Sequence, residues 1–240
     1  MKITDWSTGQ YHGSKGFNFY ALTVILPLIL ITGFFTSCQK TEKSYYPNGK
    51  IKYILPENDA GQLNGMARFW YDNGNLQLTG EYKDGVLNGK LCRYREIGII
   101  ETEDIYQNGK LHGLCREFHY NGNVSSEMPY VNDTLHGLSR QFDDVGQVMI
   151  EGYYEHGYFE GKWIYHDRIG NLIGEADFKK GTGVKKSFDT DGKLTGITEY
   201  MDNLKHGREI WYNKSGKEIT TRYFEHGDRV AYEVESPIPQ

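Results

Sequence analysis

From Asn64 onward, apolar and polar residues alternate in runs of about eight, and each run ends at a glycine-containing turn. A period of two over such short runs predicts half-buried strands rather than helices. The runs recur as a unit. Copies begin at Asn64, Asn88, His112, His136, Glu160, Thr182 and His206, spaced by 24 residues except for one spacing of 22. A glycine follows each start directly, from Gly65 to Gly207, and another falls ten residues in, from Gly74 to Gly216. Eighteen residues in stands an aromatic: Tyr82, Tyr106, Tyr130, Tyr154, Phe178, Tyr200 and Phe224. A fixed period of this length is the signature of a stacked repeat array.

Each unit reads as a β-hairpin. The mid-unit turns, such as Asp72-Asn73-Gly74 and Tyr120-Asn121-Gly122, predict two-residue loops with positive φ. A second turn joins one unit to the next through Asp84-Gly85 or His156-Gly157, with Asp133 and Asn203 in place of the glycine. Those two residue types best tolerate the left-handed region, so the exceptions meet the same backbone demand. The short spacing reads as the loss of two turn residues after Gly181. Pro129, inside the second strand of the third copy, cannot donate to a ladder and predicts a bulge or bend there. Residues 38–63 read as a short linker and a degenerate capping copy, with Tyr45, Asn48-Gly49 and Ile51 in place. Residues 230–240 read as a tail. The expected fold is all-β: an elongated antiparallel hairpin-repeat sheet, single-layered and twisted, over residues 64–229.

Counting an even number of residues from each start selects Trp70, Tyr94, Phe118 and Phe142 on first strands. On second strands it selects Leu76, Ile100, Val124 and Val148, then Tyr82, Tyr106, Tyr130 and Tyr154. Alternation therefore predicts one apolar face and one polar face, kept in phase because 24 is even. The eight aromatics form the candidate binding face, since a one-layer sheet leaves such a row uncovered unless it coils on itself.

The N-terminus changes the setting. Lys2 and Lys15 precede an apolar run from Phe17 to Phe35, followed by Thr36-Ser37-Cys38. A basic start, an apolar core and small residues before a cut site describe a secretory signal helix over residues 1–37. The segment ending at Cys38 resembles the lipobox of bacterial lipoproteins, although Phe35 stands where leucine is usual. Lipidation of Cys38 is the preferred reading. An uncleaved signal anchor is the alternative, for which the apolar run is just long enough. Either places the remainder in the bacterial cell envelope, anchored to a membrane.

Composition narrows the partners. The chain has 19 Tyr and 29 Gly beside 6 Pro, which suits strands and tight turns. Net charge is −5, and residues 1–37 hold two of the 27 basic and one of the 32 acidic side chains, leaving −6 beyond them. No basic block supports nucleic-acid binding, and anionic lipid headgroups would repel this surface.

Candidate chemistry is sparse. His112, His136 and His206 share a turn position held elsewhere by Asn64 and Glu160, which reads as a polar turn residue rather than a catalytic base. Glu103, Glu127, Glu151 and Glu175 occupy one equivalent site. Their strands lie about 9–10 Å apart, too far to share one ion whose oxygens sit at roughly 2.3–2.6 Å. They read as a solvated acidic row able to steer a basic partner. Cys92 and Cys115 fall on opposite faces, beyond the ~7 Å limit between bridged Cα atoms, and read as free buried thiols. No nucleophile elbow, phosphate loop or zinc spacing occurs, so no catalytic residue, metal or cofactor is expected.

The stretches Gly80–Gly89 and Tyr154–Trp163 carry a Tyr-x-x-Gly-x-x-x-Gly rhythm that resembles MORN (membrane occupation and recognition nexus) repeats, in the variant form of bacterial proteins. Proteins of this make-up include the YwqK-type antitoxins of toxin–antitoxin systems. The resemblance implies a binding sheet with no cofactor and no catalytic residue. The expected function is a non-catalytic, envelope-anchored scaffold for a protein partner, with self-association as a second use of the same face. Alternatives are an immunity protein against an envelope-acting toxin, and a carbohydrate-binding or cell-wall module. If Cys38 carries the anchor, Cys38→Ala leaves the membrane fraction on cell fractionation; retention there establishes the uncleaved signal anchor instead.

Overall fold

The computed structural model describes residues 40–230. The signal helix over 1–37, Cys38 and the tail beyond Val230 lie outside the described residues. Within them, nineteen strands follow in chain order in a single antiparallel sheet, in which two ladder positions are held by interrupted strands: Lys110–Leu111 with Gly113–Phe118, and Thr134–Leu135 with Gly137–Phe142. The sheet is open: β1 (Lys40–Tyr45) pairs only with β2 (Ile51–Glu57), and β19 (Asp228–Arg229) only with β18 (Glu218–Glu225). No helix among the described residues is long and apolar enough to cross a membrane.

The first full copies run β3 (Gly65–Trp70), β4 (Leu76–Lys83), β5 (Val86–Tyr94) and β6 (Ile100–Gln107). The β1–β2 hairpin ahead of them has the same design, down to the turn bonds Tyr46 N–H to Lys50 C=O and Gly49 N–H to Tyr46 C=O. The mid-unit turns differ from the expected two-residue loops. Gly74 N–H donates to Tyr71 C=O and Tyr71 N–H to Asn75 C=O, closing a three-residue loop. Gly74 has φ +94°, whereas Asn73 keeps negative φ. That is a type I turn followed by a left-handed glycine, and it leaves one extra residue in the returning strand.

The extra residue decides the faces. In β3–β4 the register pairs Gly65 with Tyr82, Ala67 with Gly80 and Phe69 with Leu78, then shifts so that Trp70 meets Leu76. The same shift occurs at the matching step of all eight hairpins. Residues opposite each other in a ladder share a face. Trp70, Tyr94, Phe118 and Phe142 therefore share one face with Leu76, Ile100, Val124 and Val148, while Tyr82, Tyr106, Tyr130 and Tyr154 lie on the other. The expectation of one shared aromatic face is corrected by this one-residue bulge, which reverses the parity between the two ends of each hairpin. The neighbours agree. Tyr94 interacts with Cys92, Thr79 and Glu103, whereas Tyr106 and Tyr130 both interact with Asp104 and Cys115.

The junction at Asn58–Gln62 closes a three-residue loop like the mid-unit turns, with Gly61 at positive φ, whereas the later junction turns behave as two-residue loops with both central residues at positive φ. Asp84, Asn108, Asn132, Asp133, His156, Lys180, Asp202, Asn203 and His226 are the non-glycine residues so placed, and all nine sit in these turns. Asp133 and Asn203, at φ +66° and +67°, adopt the conformation expected of them. Beyond each junction turn a second, wider bulge admits two extra residues, as between Gly80–Leu91 and Tyr82–Leu87. Pro129 falls at this interruption, which every full-length junction contains, so it adds no bend of its own. The shortened copy has no such bulge: β14 (Leu172–Lys179) and β15 (Thr182–Phe188) pair in unbroken register from Gly174–Ser187 to Lys179–Thr182. The two missing residues are thus bulge residues rather than turn residues. Gly183 accordingly lacks the positive φ of Gly65, Gly89, Gly113, Gly137, Gly161 and Gly207.

The residue that opens each copy has a defined task. Side chains of Asn64, Asn88, His136, Glu160 and His206 accept from the first N–H of the junction turn twenty residues later, at Asp84, Asn108, His156, Lys180 and His226. Amide oxygen, imidazole Nδ1 and carboxylate interchange because each accepts a hydrogen bond. His112, its Nδ1 buried without a partner, and Thr182, in the shortened copy, are the exceptions. An uncapped turn N–H costs about 0.5–1.5 kcal/mol. His136→Ala should therefore lower unfolding stability by about that amount in denaturant titration, and His136→Asn should restore most of it. Equal losses in the two variants would remove the capping role.

Candidate functional site

Each face carries its own row. On the first, Glu103 and Glu127 sit at 14% and 20% side-chain exposure, flanked by cations from neighbouring strands. Lys90 Nζ lies 2.8 Å from Glu103, Arg116 lies 3.3 Å from Glu103 and 3.1 Å from Glu127, and Arg140 reaches Glu127 at 4.0 Å and Glu151 at 2.6 Å. Lys162 lies 3.6 Å from Glu175. The solvated acidic row expected from sequence is instead an alternating ion-pair ladder. The arginines stand on the first strands between successive glutamates, which neutralises the row and removes the steering field. Trp70, Tyr94, Phe118 and Phe142 lie on this same face, half-buried.

The opposite face holds most of the buried side chains. Ala67, Leu91, Cys115, Trp163, Ala176 and Phe178 are buried there, together with Ser126 and Ser139. Burial in a one-layer sheet requires ring-on-ring cover from neighbouring strands. Around Trp163, Tyr154 lies at 5.2 Å and Phe159 at 4.6 Å between centroids, and Phe178 meets Phe159 at 5.2 Å and Tyr200 at 5.6 Å. Several of these contacts are edge-on, the geometry favoured by aromatic quadrupoles. Trp163 lies directly across Gly152, where an added Cβ would come within 2.0 Å of the indole, so only glycine admits that ring. Burial drives the Tyr165 hydroxyl pKa up to about 12, with Tyr200 and Tyr154 adding to it.

Tyr82, Tyr106, Tyr130 and Tyr154 line this face, each half-buried. Opposite them stand Leu87, Leu111, Leu135 and Phe159. The latter row was not singled out from sequence, although its recurrence just before each copy start is visible there. Cys115 lies on this face and Cys92 on the other, and both thiols are free and buried, as expected. Burial pushes both thiols up, which keeps them protonated and unreactive.

Hollows interrupt the sheet surface, three of them among the described residues being of note. One of about 340 Å³ is bounded by Phe69, Leu78, Arg93 and Tyr94, and one of about 80 Å³ by Cys115, Met128 and Tyr130. A third, of about 250 Å³, opens near the C-terminal end of the tyrosine face, where Lys185, Ser187, Thr198, Tyr200, Lys205, Glu209 and Trp211 are among its walls. Lys185 there lies 3.8 Å over the Tyr165 ring, and burial followed by the charge of Lys205 holds its ammonium below the usual lysine range. No group of three His, Cys, Asp or Glu among the described residues is placed to hold a metal ion. The lipidation candidate Cys38 lies outside them.

Three stretches of the chain, residues 39–56, 63–84 and 111–132, match the MORN repeat variant family. They coincide with the β1–β2 hairpin, the β3–β4 hairpin, and a third formed by β8 (Gly113–Phe118) and β9 (Val124–Val131). No curated protein matches the chain.

Proposed function

We propose that the repeat sheet is a non-catalytic scaffold that binds a protein partner along its tyrosine face. The observation that carries this is the row Tyr82, Tyr106, Tyr130 and Tyr154, half-exposed on a sheet that no second layer among the described residues covers. Tyrosine offers wide apolar contact, little side-chain entropy to lose and a hydroxyl for hydrogen bonding, which is why it is favoured where proteins meet. MORN repeats suggest such a scaffold, generally without catalytic residues. The opposite face is less suited to a partner, because its ion pairs would have to be desolvated together.

The N-terminal segment supplies the setting in this reading. Residues 1–37 act as the export signal and Cys38 as the lipid attachment point, so that the sheet is displayed from a membrane of the bacterial envelope. An immunity role against an envelope-acting toxin is a special case of the same binding mode, with the toxin as the partner.

Affinity capture from envelope extracts with the detergent-solubilised full chain, repeated with single serine substitutions, tests the face assignment. Tyr106→Ser and Tyr130→Ser should each cut recovery of the bound protein at least about tenfold, as expected for buried aromatic anchors. Tyr94→Ser and Phe118→Ser should leave recovery near the wild-type level. Loss confined to the second pair would transfer the interface to the ion-pair face.

A further inference from the structure

One rank of side chains crosses the tyrosine face from end to end, and its character changes near the C-terminus. In the earlier copies the first-strand place in this rank holds Ala67, Leu91, Cys115, Ser139 and Trp163, all of them buried. The rank then continues from Ala176 to Lys185, Thr198, Glu209 and Arg222, matched strand by strand. A second substitution accompanies it. Lys205, opposite Tyr200, takes the place that Leu87, Leu111, Leu135 and Phe159 hold in other copies. Lys185, Lys205 and, at the next first-strand place, Glu209 thus stand at positions the earlier copies keep apolar or small, beside the 250 Å³ hollow.

The charges do not cancel. Lys205 pairs with Glu209, itself only 8% exposed. Arg222 stacks on Trp211, with its guanidinium 4.6 Å from the ring centre. Lys185 has the Tyr165 ring beneath it, but the charged group that acts on it is another cation, Lys205. Half-burying an ammonium without a carboxylate partner costs free energy in the empty protein. An anion entering the hollow would supply the missing partner. The lining of the hollow carries Lys185, Lys205 and Glu209, one net positive charge, which matches a monoanion such as a carboxylate better than a phosphate dianion.

The remaining walls describe what carries that carboxylate. Ser187 and Thr198 present hydroxyls, and Tyr200 and Trp211 present rings. Hydroxyls beside aromatic faces suit a polyol ring, whose C–H surfaces lie against aromatics while its hydroxyls take hydrogen bonds. The volume is below that of drug-sized pockets, which start at about 300 Å³, and fits one ring unit. We propose that this hollow binds a carboxylated sugar unit, with Lys185 holding the carboxylate, Ser187 and Thr198 bonding ring hydroxyls, and Tyr200 and Trp211 flanking the ring. This goes beyond the protein-binding role and uses other residues, so either can fail without the other.

Isothermal titration of the detergent-solubilised full chain with glucuronate, glucose and inorganic phosphate tests it. Glucuronate should bind saturably, and glucose and phosphate should each bind at least about tenfold more weakly, the loss expected when a charged hydrogen bond is absent or mismatched. Lys185→Met should weaken glucuronate at least about tenfold. Its unfolding midpoint at neutral pH should equal or exceed that of the wild type, because a partly desolvated cation has been removed. Absence of glucuronate binding at millimolar concentration, equal binding of glucose or phosphate, or unchanged binding by a folded Lys185→Met would each overturn the assignment. The wild-type comparison decides the matter alone if that variant fails to fold.

Discussion

A single extra residue in the returning strand of every hairpin organises this molecule. It arises from a backbone requirement at the turn, where a type I bend must be followed by a left-handed residue, and glycine takes that place. Its consequence reaches across the sheet. Because strand side chains alternate with a period of two, one added residue exchanges the faces beyond it. The glutamates therefore meet arginines of neighbouring strands on one side, and the second-strand tyrosines meet the leucine row on the other. A one-layer sheet has no core beneath it, and here both surfaces are made partly self-covering instead. Rings cover rings on one face, and aliphatic stems with paired charges cover the other.

Stacking of the copies rests on hydrogen bonds between turns as much as on the ladder. At the junction edge, Gly85, Gly109, Asp133, Gly157, Gly181, Asn203 and Gly227 each donate a backbone N–H to a carbonyl twenty-two residues earlier, and in five of these seven turns the copy-opening residue caps the same turn. At the hairpin edge the two halves of the array differ. Tyr46, Tyr71, Arg95 and His119 reach forward to carbonyls of Trp70, Tyr94, Phe118 and Phe142 in the next copy. From Asp143 onward the matching residues, Asp167, Asp189 and Asn213 among them, fold back to accept N–H groups of their own turns. The shortened junction compensates in its own way: Asn203 reaches past Gly181 to the Phe159 N–H and the Gly157 carbonyl.

The features legible in sequence were local ones. The period, the junction turns, the tolerance of Asp133 and Asn203 for positive φ, and the separation of Cys92 from Cys115 all depend on a few neighbouring residues. The face assignment was not legible, because parity across a hairpin depends on whether its loop adds a residue, and Asn-Gly is compatible with both two- and three-residue loops. The glutamate row looked acidic because its partners, Arg116 and Arg140, lie in other strands and come into register only when the sheet forms. Gly183 looked like the other copy-opening glycines because two deleted residues brought it into the same apparent place. Lys185 and Lys205 were visible as departures from the repeat. What they form became apparent only with Thr198, Tyr200 and Trp211 gathered around one hollow.

The tyrosine-face reading stands or falls with the hairpin register. The most direct measurement uses the native thiol of Cys92 in a background of Cys38→Ser and Cys115→Ser. Cys92 is registered opposite Glu103, whereas a hairpin without the bulge would place it opposite Thr102. Registered Cα atoms in an antiparallel pair lie about 4.5–5.5 Å apart, within disulfide reach. Under mild oxidation, Glu103→Cys should form an intramolecular disulfide with Cys92, read as a 2 Da mass loss under a soft oxidant such as oxidised glutathione, and Thr102→Cys should not. Efficient bridging by Thr102→Cys and none by Glu103→Cys would contradict the bulge, and with it the separation of the two aromatic rows.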